Sequence, residues 1–162
     1  MKKTTYTVPE VEGSKRQSLR PYTHAVIGYF DGELVARTNR AHHVANRAKE
    51  LGWSTRNWNG CKRGAAAKAG EIYVNHNGCR VAARQAIIDI DTEFMTKYPT
   101  LEAYIAHEEA EFEAQCAAYI AHGNDKMVVL RWSSSLKNAS KGLSEFSNHY
   151  SGLRVVPCVP VA

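Results

Sequence analysis

The stretch KMVVLRWSSSLKNASKGLSEFSNHYSGLRVVPCVPV, residues Lys126–Val161, decides the predicted fold. It opens with a short apolar run, Met127–Leu130, which is typical of a buried strand. Three serines, Ser133–Ser135, then offer N-caps for a helix. Apolar side chains follow at a spacing of three or four residues, which predicts an amphipathic helix. These side chains are Leu136, Ala139, Leu143, Phe146 and Tyr150.

Gly152 ends this predicted helix, and Leu153–Val161 is predicted to be a final strand. Pro157 and Pro160 place that strand at a sheet edge, because proline has no N–H to donate to a neighbour. The chain therefore closes with a β-α-β unit.

Upstream of this unit, Tyr22–Phe30 alternates like a strand and is followed by Asp31-Gly32. Asp-Gly between two strand-like runs predicts a hairpin, with Glu33–Thr38 as its second strand. A helix is predicted over Arg40–Leu51, and the next residue, a glycine, is expected to end it.

The middle of the chain is less regular. Trp53–Gly70 is interpreted mainly as a loop, and a second hairpin is predicted over Glu71–Arg84 around an Asn-Gly turn. Gln85–Tyr98 fits either a strand or a helix. Pro99 is expected to open a long helix to about Ala121, since proline is tolerated in a first helical turn.

These elements predict an α+β fold, with an antiparallel or mixed sheet, two hairpins and helices packed mainly on one face. Residues 21–162 are predicted to form a single domain. Residues 1–20 are expected to be an extended basic arm, because they carry few apolar side chains to offset their ordering entropy.

Charge is distributed in three blocks. Residues 1–88 hold 15 Lys and Arg against 6 Asp and Glu, residues 89–125 hold 1 against 9, and residues 126–162 hold 5 against 1. Such blocks indicate partners of opposite charge rather than a particular fold. The net charge of +5 favours an anionic partner.

The stretch Trp53–Lys68 combines this positive charge with aromatic side chains. Two indoles alternate with cations, and single-stranded nucleic acid is bound by such pairs of stacking rings and phosphate-neutralising cations. The alternative is that both tryptophans anchor the stretch to the core and the cations are solvated. The predicted site is Trp53, Arg56, Trp58, Lys62, Arg63 and Lys68, extended by Arg16, Arg20, Arg40 and Arg47.

Catalytic and metal sites have weaker signals. A nucleophilic pair is conceivable between a cysteine, Cys61 or Cys79, and a histidine, His24, His43 or His76. Both cysteines follow an Asn-Gly turn signal, which favours exposure. No catalytic residue, metal site or cofactor is predicted, because no ligand set or catalytic motif is complete.

Three functional hypotheses remain. The first is a small non-enzymatic binding protein that places its basic tryptophan-bearing face on nucleic acid. The second is a protein-binding or structural component of an assembly, of the viral or mobile-element accessory type, using residues 1–20 and the acidic helix 99–121 on a protein partner or a second copy. The third is a small enzyme with a His/Cys or His/Glu site. A cytoplasmic location without a membrane partner is expected, since no signal peptide or apolar span occurs.

Overall fold

The computed structural model describes residues 3–123 and 126–161, and these residues form four helices and eight strands in antiparallel sheets. The predicted α+β class is confirmed. In chain order the elements are β1 (Thr4–Thr7), β2 (Arg16–Ser18), β3 (His24–Phe30), α1 (Gly32–Ala66), β4 (Ile72–Val74), β5 (Arg80–Ala82), α2 (Gln85–Lys97), α3 (Leu101–His122), β6 (Met127–Ser133), α4 (Leu136–Phe146), β7 (Tyr150–Pro157) and β8 (Val159–Val161).

The chain divides into two compact units. Unit 1 comprises Met1–Ala41 and Cys116–Ala162, and unit 2 comprises His42–Gln115. The sequence carries no linker at these boundaries, because α1 and α3 each continue through one of them.

Unit 1 is built on a three-stranded sheet in the order β6-β3-β7. Both outer strands are antiparallel to β3, so they run parallel to each other with β3 between them. α4 connects them and packs against all three strands. The predicted C-terminal β-α-β unit is therefore confirmed, with β3 inserted between its two strands. The predicted helix end at Gly152 is wrong, because α4 ends at Phe146 and both Tyr150 and Gly152 belong to β7. The predicted final strand is divided into β7 and β8, which lie in different sheets.

The two faces of β3 are covered differently. Ala25 and Ile27 have no exposed surface and pack with Val8 and Val11 of the N-terminal segment. Val26 points to the opposite face, where its Cγ2 lies 3.0 Å from the position of a Cβ built on Gly142 of α4. Burying a side chain such as Ile27 stabilises the fold by roughly 1.5–3 kcal/mol.

The N-terminal segment, expected to be an arm, contributes directly to unit 1. β1 pairs with β2 on one side and with β8 on the other, which gives a second antiparallel sheet. β7 and β8 each lie at an edge of their sheet, as the two prolines indicate. Val8, 1% exposed, then becomes part of the main core.

The hairpin predicted at Asp31-Gly32 is wrong. Asp31 instead caps α1: its Oδ1 accepts a hydrogen bond from the N–H of Leu34 at 2.8 Å. Gly32 is needed for packing, since a Cβ there would lie 1.8 Å from the carbonyl oxygen of Tyr119. The partners of β3 are β6 and β7, so the turn that the Asp-Gly pair favours is not required.

The end predicted for the first helix is also wrong, and so is the loop at 53–70. α1 runs without interruption through Gly52 and Gly60 to Ala66. Each glycine costs about 1 kcal/mol relative to alanine within a helix. At Gly60 close packing offsets this cost, because its missing side chain lets the backbone of His76 approach; a Cβ would lie 2.4 Å from the His76 Cα.

Unit 2 contains the C-terminal part of α1, the β4–β5 hairpin, α2 and most of α3. The predicted second hairpin is confirmed, with Gly78 at a positive φ of 79° in its turn. The ambiguous segment at 85–98 is the helix α2, and the predicted long helix is α3. The buried cluster of this unit is aromatic and consists of Trp58, Tyr98 and Tyr104.

Candidate functional site

The C-terminal half of α1 presents a groove to the turn of the β4–β5 hairpin. Trp53, Arg56, Gly60 and Arg63 follow each other at steps of three or four residues, which places them on one helical face. The groove has a volume of about 300 Å³, and none of its described lining residues is acidic. Its lining is Trp53, Arg56, Arg63, Asn75, His76, Asn77 and Gly78; we call it the Trp53 groove.

Two sets of contacts fix the hairpin side of the Trp53 groove. Asn75 Oδ1 accepts hydrogen bonds from the N–H groups of Asn77 and Cys79, both at 3.0 Å. Arg63 reaches across from the helix, and its Nε donates to the carbonyl oxygen of Val74 at 2.8 Å. This bond uses one of five guanidinium donors, so the others remain available to a ligand.

The two tryptophans have opposite roles. Trp58 is 9% exposed, and its Nε1 donates to the carbonyl oxygen of Tyr98 at 3.0 Å. Trp53 is 55% exposed and lines the groove. An indole that is buried and hydrogen-bonded cannot stack on a ligand, so Trp58 is a core anchor and only Trp53 is placed to stack.

Several predicted cations of unit 2 lie outside the groove lining. The Lys62 Nζ lies 5.1 Å from the centre of the Trp58 ring, a cation–π contact on the outer side of the core. Arg47 forms an ion pair with Glu109 of α3. Lys68 follows the end of α1, and its backbone N–H donates to Glu71 Oε2 at 2.9 Å.

Arg16, Arg20 and Arg40 belong to unit 1 and are not part of the groove. The Arg16 guanidinium lies 6.0 Å from the centre of the Tyr22 ring, and Arg20 follows β2. Arg40 lines another pocket, of about 350 Å³, with Asp31 and Glu33. Of the ten predicted binding residues, the Trp53 groove therefore brings together Trp53, Arg56 and Arg63.

A second pocket, of about 430 Å³, shares Trp53 and Arg56 with the groove. His43 stacks on Phe112 with ring centres 4.4 Å apart, and its Nδ1 lies 2.6 Å from Glu50 Oε2. Glu50 Oε2 is buried and has no hydrogen-bond partner among the described residues. We call this the His43 pocket.

Ser54 and Glu108 form the floor of the His43 pocket. Ser54 is buried, and its Oγ donates to Glu108 Oε2 at 2.5 Å. Next to them, burial raises the pKa of Tyr104 to about 12, and its hydrogen bond with Glu108 acts in the same direction. The pocket therefore combines carboxylates with a histidine and cations, whereas the Trp53 groove is basic.

A third pocket, of about 540 Å³, shares Asn75 and His76 with the groove. Asp91 of α2 lines it and accepts a hydrogen bond from the Cys61 thiol. Burial raises the pKa of Asp91, an effect that the Cys61 hydrogen bond and nearby His76 oppose. We call this the Asp91 pocket.

The expectation that Cys61 is exposed is wrong. The thiol is 9% exposed, and burial, followed by the charge of Asp91, raises its pKa to about 11. Because a thiolate is the reactive form, this cysteine is not suited to nucleophilic attack at neutral pH. Cys79 is exposed, as the sequence predicts.

Part of the acidic charge of α3 is used within unit 2. Glu108 accepts from Ser54, Glu109 pairs with Arg47, and Glu111 lies 3.2 Å from His107 Nε2. The Glu109–Arg47 pair joins opposite charges of α3 and α1 and depends on tertiary packing, whereas the His107–Glu111 contact lies within α3 at a spacing of four residues.

Nowhere in residues 3–123 and 126–161 do three or more His, Cys, Asp or Glu side chains come together in an arrangement that could hold a metal ion. Within the same residues, no helix has the length and apolar character needed to cross a membrane. No protein-family model, curated protein or solved structure matches this chain.

Proposed function

We propose that unit 2 binds single-stranded nucleic acid in the Trp53 groove. One observation carries the proposal: an exposed indole, 55% accessible, lies in the same groove as Arg56 and Arg63. A base stacks on the indole while the two guanidinium groups contact flanking phosphates, which is how sequence-tolerant single-strand binding is achieved.

The charge around the groove supports this proposal. Residues 42–88, which contribute the groove side of unit 2, hold eight Lys and Arg and two Asp and Glu. The acidic residues of the same unit lie mainly on α2 and α3, and part of that charge is paired, as described above. An anionic strand is therefore attracted to the side of the unit formed by α1 and the hairpin.

Double-stranded nucleic acid fits the site less well. Stacking on Trp53 requires an unpaired base, because the faces of bases inside a duplex are covered by their neighbours. The proposed ligand is therefore an unpaired strand, DNA or RNA.

The test is fluorescence anisotropy of a labelled ten-residue oligothymidylate over a salt series. We expect Trp53→Ala to weaken binding by about 1–3 kcal/mol and Trp53→Phe to retain most of it, since phenylalanine keeps a stacking face. Arg56→Ala and Arg63→Ala are each expected to reduce the slope of log K against log salt by about 0.7, the value for one phosphate contact on a single strand.

The matched control is Lys137→Ala, which removes an exposed positive charge from α4 in unit 1. It should change the salt slope little. Absence of binding to the oligonucleotide, or equal losses for Lys137→Ala and Arg56→Ala, would overturn the proposal.

A second candidate function is acid–base catalysis in the His43 pocket, favoured by the 2.6 Å contact between His43 and Glu50. Histidine is the side chain most often used for proton transfer near neutral pH. A screen of activated carboxyl and phosphate esters would test it, comparing His43→Ala with His107→Ala, whose histidine pairs with Glu111 on α3. Turnover that His43→Ala abolishes and His107→Ala retains is expected; equal rates in both variants count against catalysis.

A further inference from the structure

We propose that the Asp91 pocket receives one base of the strand bound in the Trp53 groove and selects guanine through the Asp91 carboxylate. This inference rests on the proposed function and adds base selectivity to it. It concerns unit 2 alone, since every lining residue of the pocket lies between His42 and Gln115.

The walls of the Asp91 pocket suit a flat aromatic ligand. Its volume of about 540 Å³ lies within the range of small-molecule sites. Tyr73 provides an aromatic wall, and Ile87 and Ile90 provide an apolar one. These isoleucines are 41% and 60% exposed, which leaves an apolar surface that a base can cover.

Asp91 supplies the polar group that distinguishes bases. Its carboxylate is held against α1, where the absence of a side chain at Gly64 makes room for it; a Cβ there would lie 1.8 Å from Asp91 Oδ2. The Cys61 thiol of the same helix donates a hydrogen bond to it. With four lone-pair sites, an ionised carboxylate retains capacity for further donors after this bond.

Guanine is the base that matches a carboxylate. Its Watson–Crick edge presents two adjacent N–H donors, on N1 and N2, and a carboxylate accepts both through its two oxygens. Thymine offers a single N–H between two carbonyl groups, and adenine and cytosine place an acceptor nitrogen beside their amino group, which faces the carboxylate unfavourably. Carboxylates accept hydrogen bonds and, when ionised, donate none.

The pocket lies next to the proposed strand-binding groove. Asn75 and His76 line both, so a strand whose base stacks on Trp53 has a neighbouring base close to the pocket mouth. Arg84 also lines the pocket and adds a cation for the phosphate between them.

The experiment compares three labelled ten-residue probes: oligothymidylate, the same strand with one central guanine, and the same strand with inosine at that position. Inosine keeps the N1–H of guanine and lacks its amino group. We expect the guanine probe to bind about tenfold more tightly than either of the others, the discrimination of one good bidentate contact. Asp91→Asn should abolish this preference, so that the variant binds the guanine and inosine probes with equal affinity.

The matched control is Asp89→Asn, which removes the same charge two positions away on α2, from an exposed residue that bonds Gln85 at 2.8 Å. It should keep the guanine preference. Ile90→Glu is a second test variant, which keeps the Asp91 side chain. Because Ile90 is exposed, this variant should fold, and it should lose the guanine preference because it places a charge on the apolar wall.

The outcomes separate the two proposals. Equal affinity of the wild-type protein for all three probes, with the steep salt dependence retained, overturns guanine selection and leaves the groove proposal standing. A guanine preference that Asp91→Asn retains also overturns it. Absence of binding to every probe overturns both.

Discussion

The two compact units bury their cores in different ways. In unit 1 the central strand β3 is covered on both faces, and three consecutive residues, Ala25, Val26 and Ile27, have no exposed surface. In unit 2 the buried cluster is three aromatic side chains, and none of the thirteen residues of α2, all of them described, is buried. Both units hold pockets: unit 1 has one of about 600 Å³ where β3 ends and α1 begins, and unit 2 has three that share lining residues along α1.

The largest expected difference between the units is in local stability. β3 is hydrogen-bonded on both sides, and β4–β5 is a two-stranded sheet, which is marginal by itself. Amide hydrogen exchange should therefore be at least about 100-fold slower in β3 than in β4 and β5. Equal exchange rates in the two sheets would contradict this difference in local stability between the units.

The next effect compares two tryptophans on the same helix. Trp58→Ala should lower the free energy of unfolding by about 3–5 kcal/mol, because it opens a cavity and leaves the Tyr98 carbonyl without its donor. Trp53→Ala, at an exposed position, should stay within about 0.5 kcal/mol of wild type. Urea unfolding followed by circular dichroism measures both, and similar losses would contradict the assignment of one indole to the core and the other to the groove.

A smaller effect separates two glycines of α1. Gly60→Ala should destabilise the protein by about 1–3 kcal/mol, because the new methyl group meets the His76 backbone. Gly52→Ala is the matched control, since nothing lies within 4 Å of its Cβ position; it should stabilise the helix by up to about 1 kcal/mol. Thermal unfolding distinguishes them, and a stabilising Gly60→Ala would show that the hairpin does not need this close approach.

The smallest effect concerns the buried thiol. Burial raises the pKa of Cys61 from 9.0 to about 11. Between these two pH values the thiol keeps its proton in the folded state and loses it in the unfolded state. Stability should therefore decrease as the pH rises from 9 to 11, and Cys61→Ala should show less of this decrease. Urea titrations at intervals across that range provide the measurement, and identical slopes for the two proteins would refute the contribution of Cys61.

Local sequence signals predicted the elements that depend on local contacts. The apolar spacing from Leu136 to Phe146 predicted α4, although the prediction wrongly continued the helix to Tyr150, and the Asn-Gly turn predicted the β4–β5 hairpin. The same signals failed at Asp31-Gly32 and at Gly60, where each glycine packs against the backbone of a residue distant in the sequence, Tyr119 and His76. Aspartate is common both in hairpin turns and as a helix N-cap, and Asp31 is an N-cap. The hairpin is not formed because β3 pairs with β6 and β7, which follow Asp31 by about a hundred residues.

The candidate site shows the same division. The sequence by itself determined that an aromatic and basic stretch exists at 53–68, because composition alone places two indoles among four cations there. Tertiary structure decided which of them are available: Trp58 enters the core, Lys62 covers it, and Trp53, Arg56 and Arg63 remain in the groove. The reason is physical: burial and close approach depend on residues far apart in the chain, His76 and Tyr98 here, and no local pattern in α1 records them.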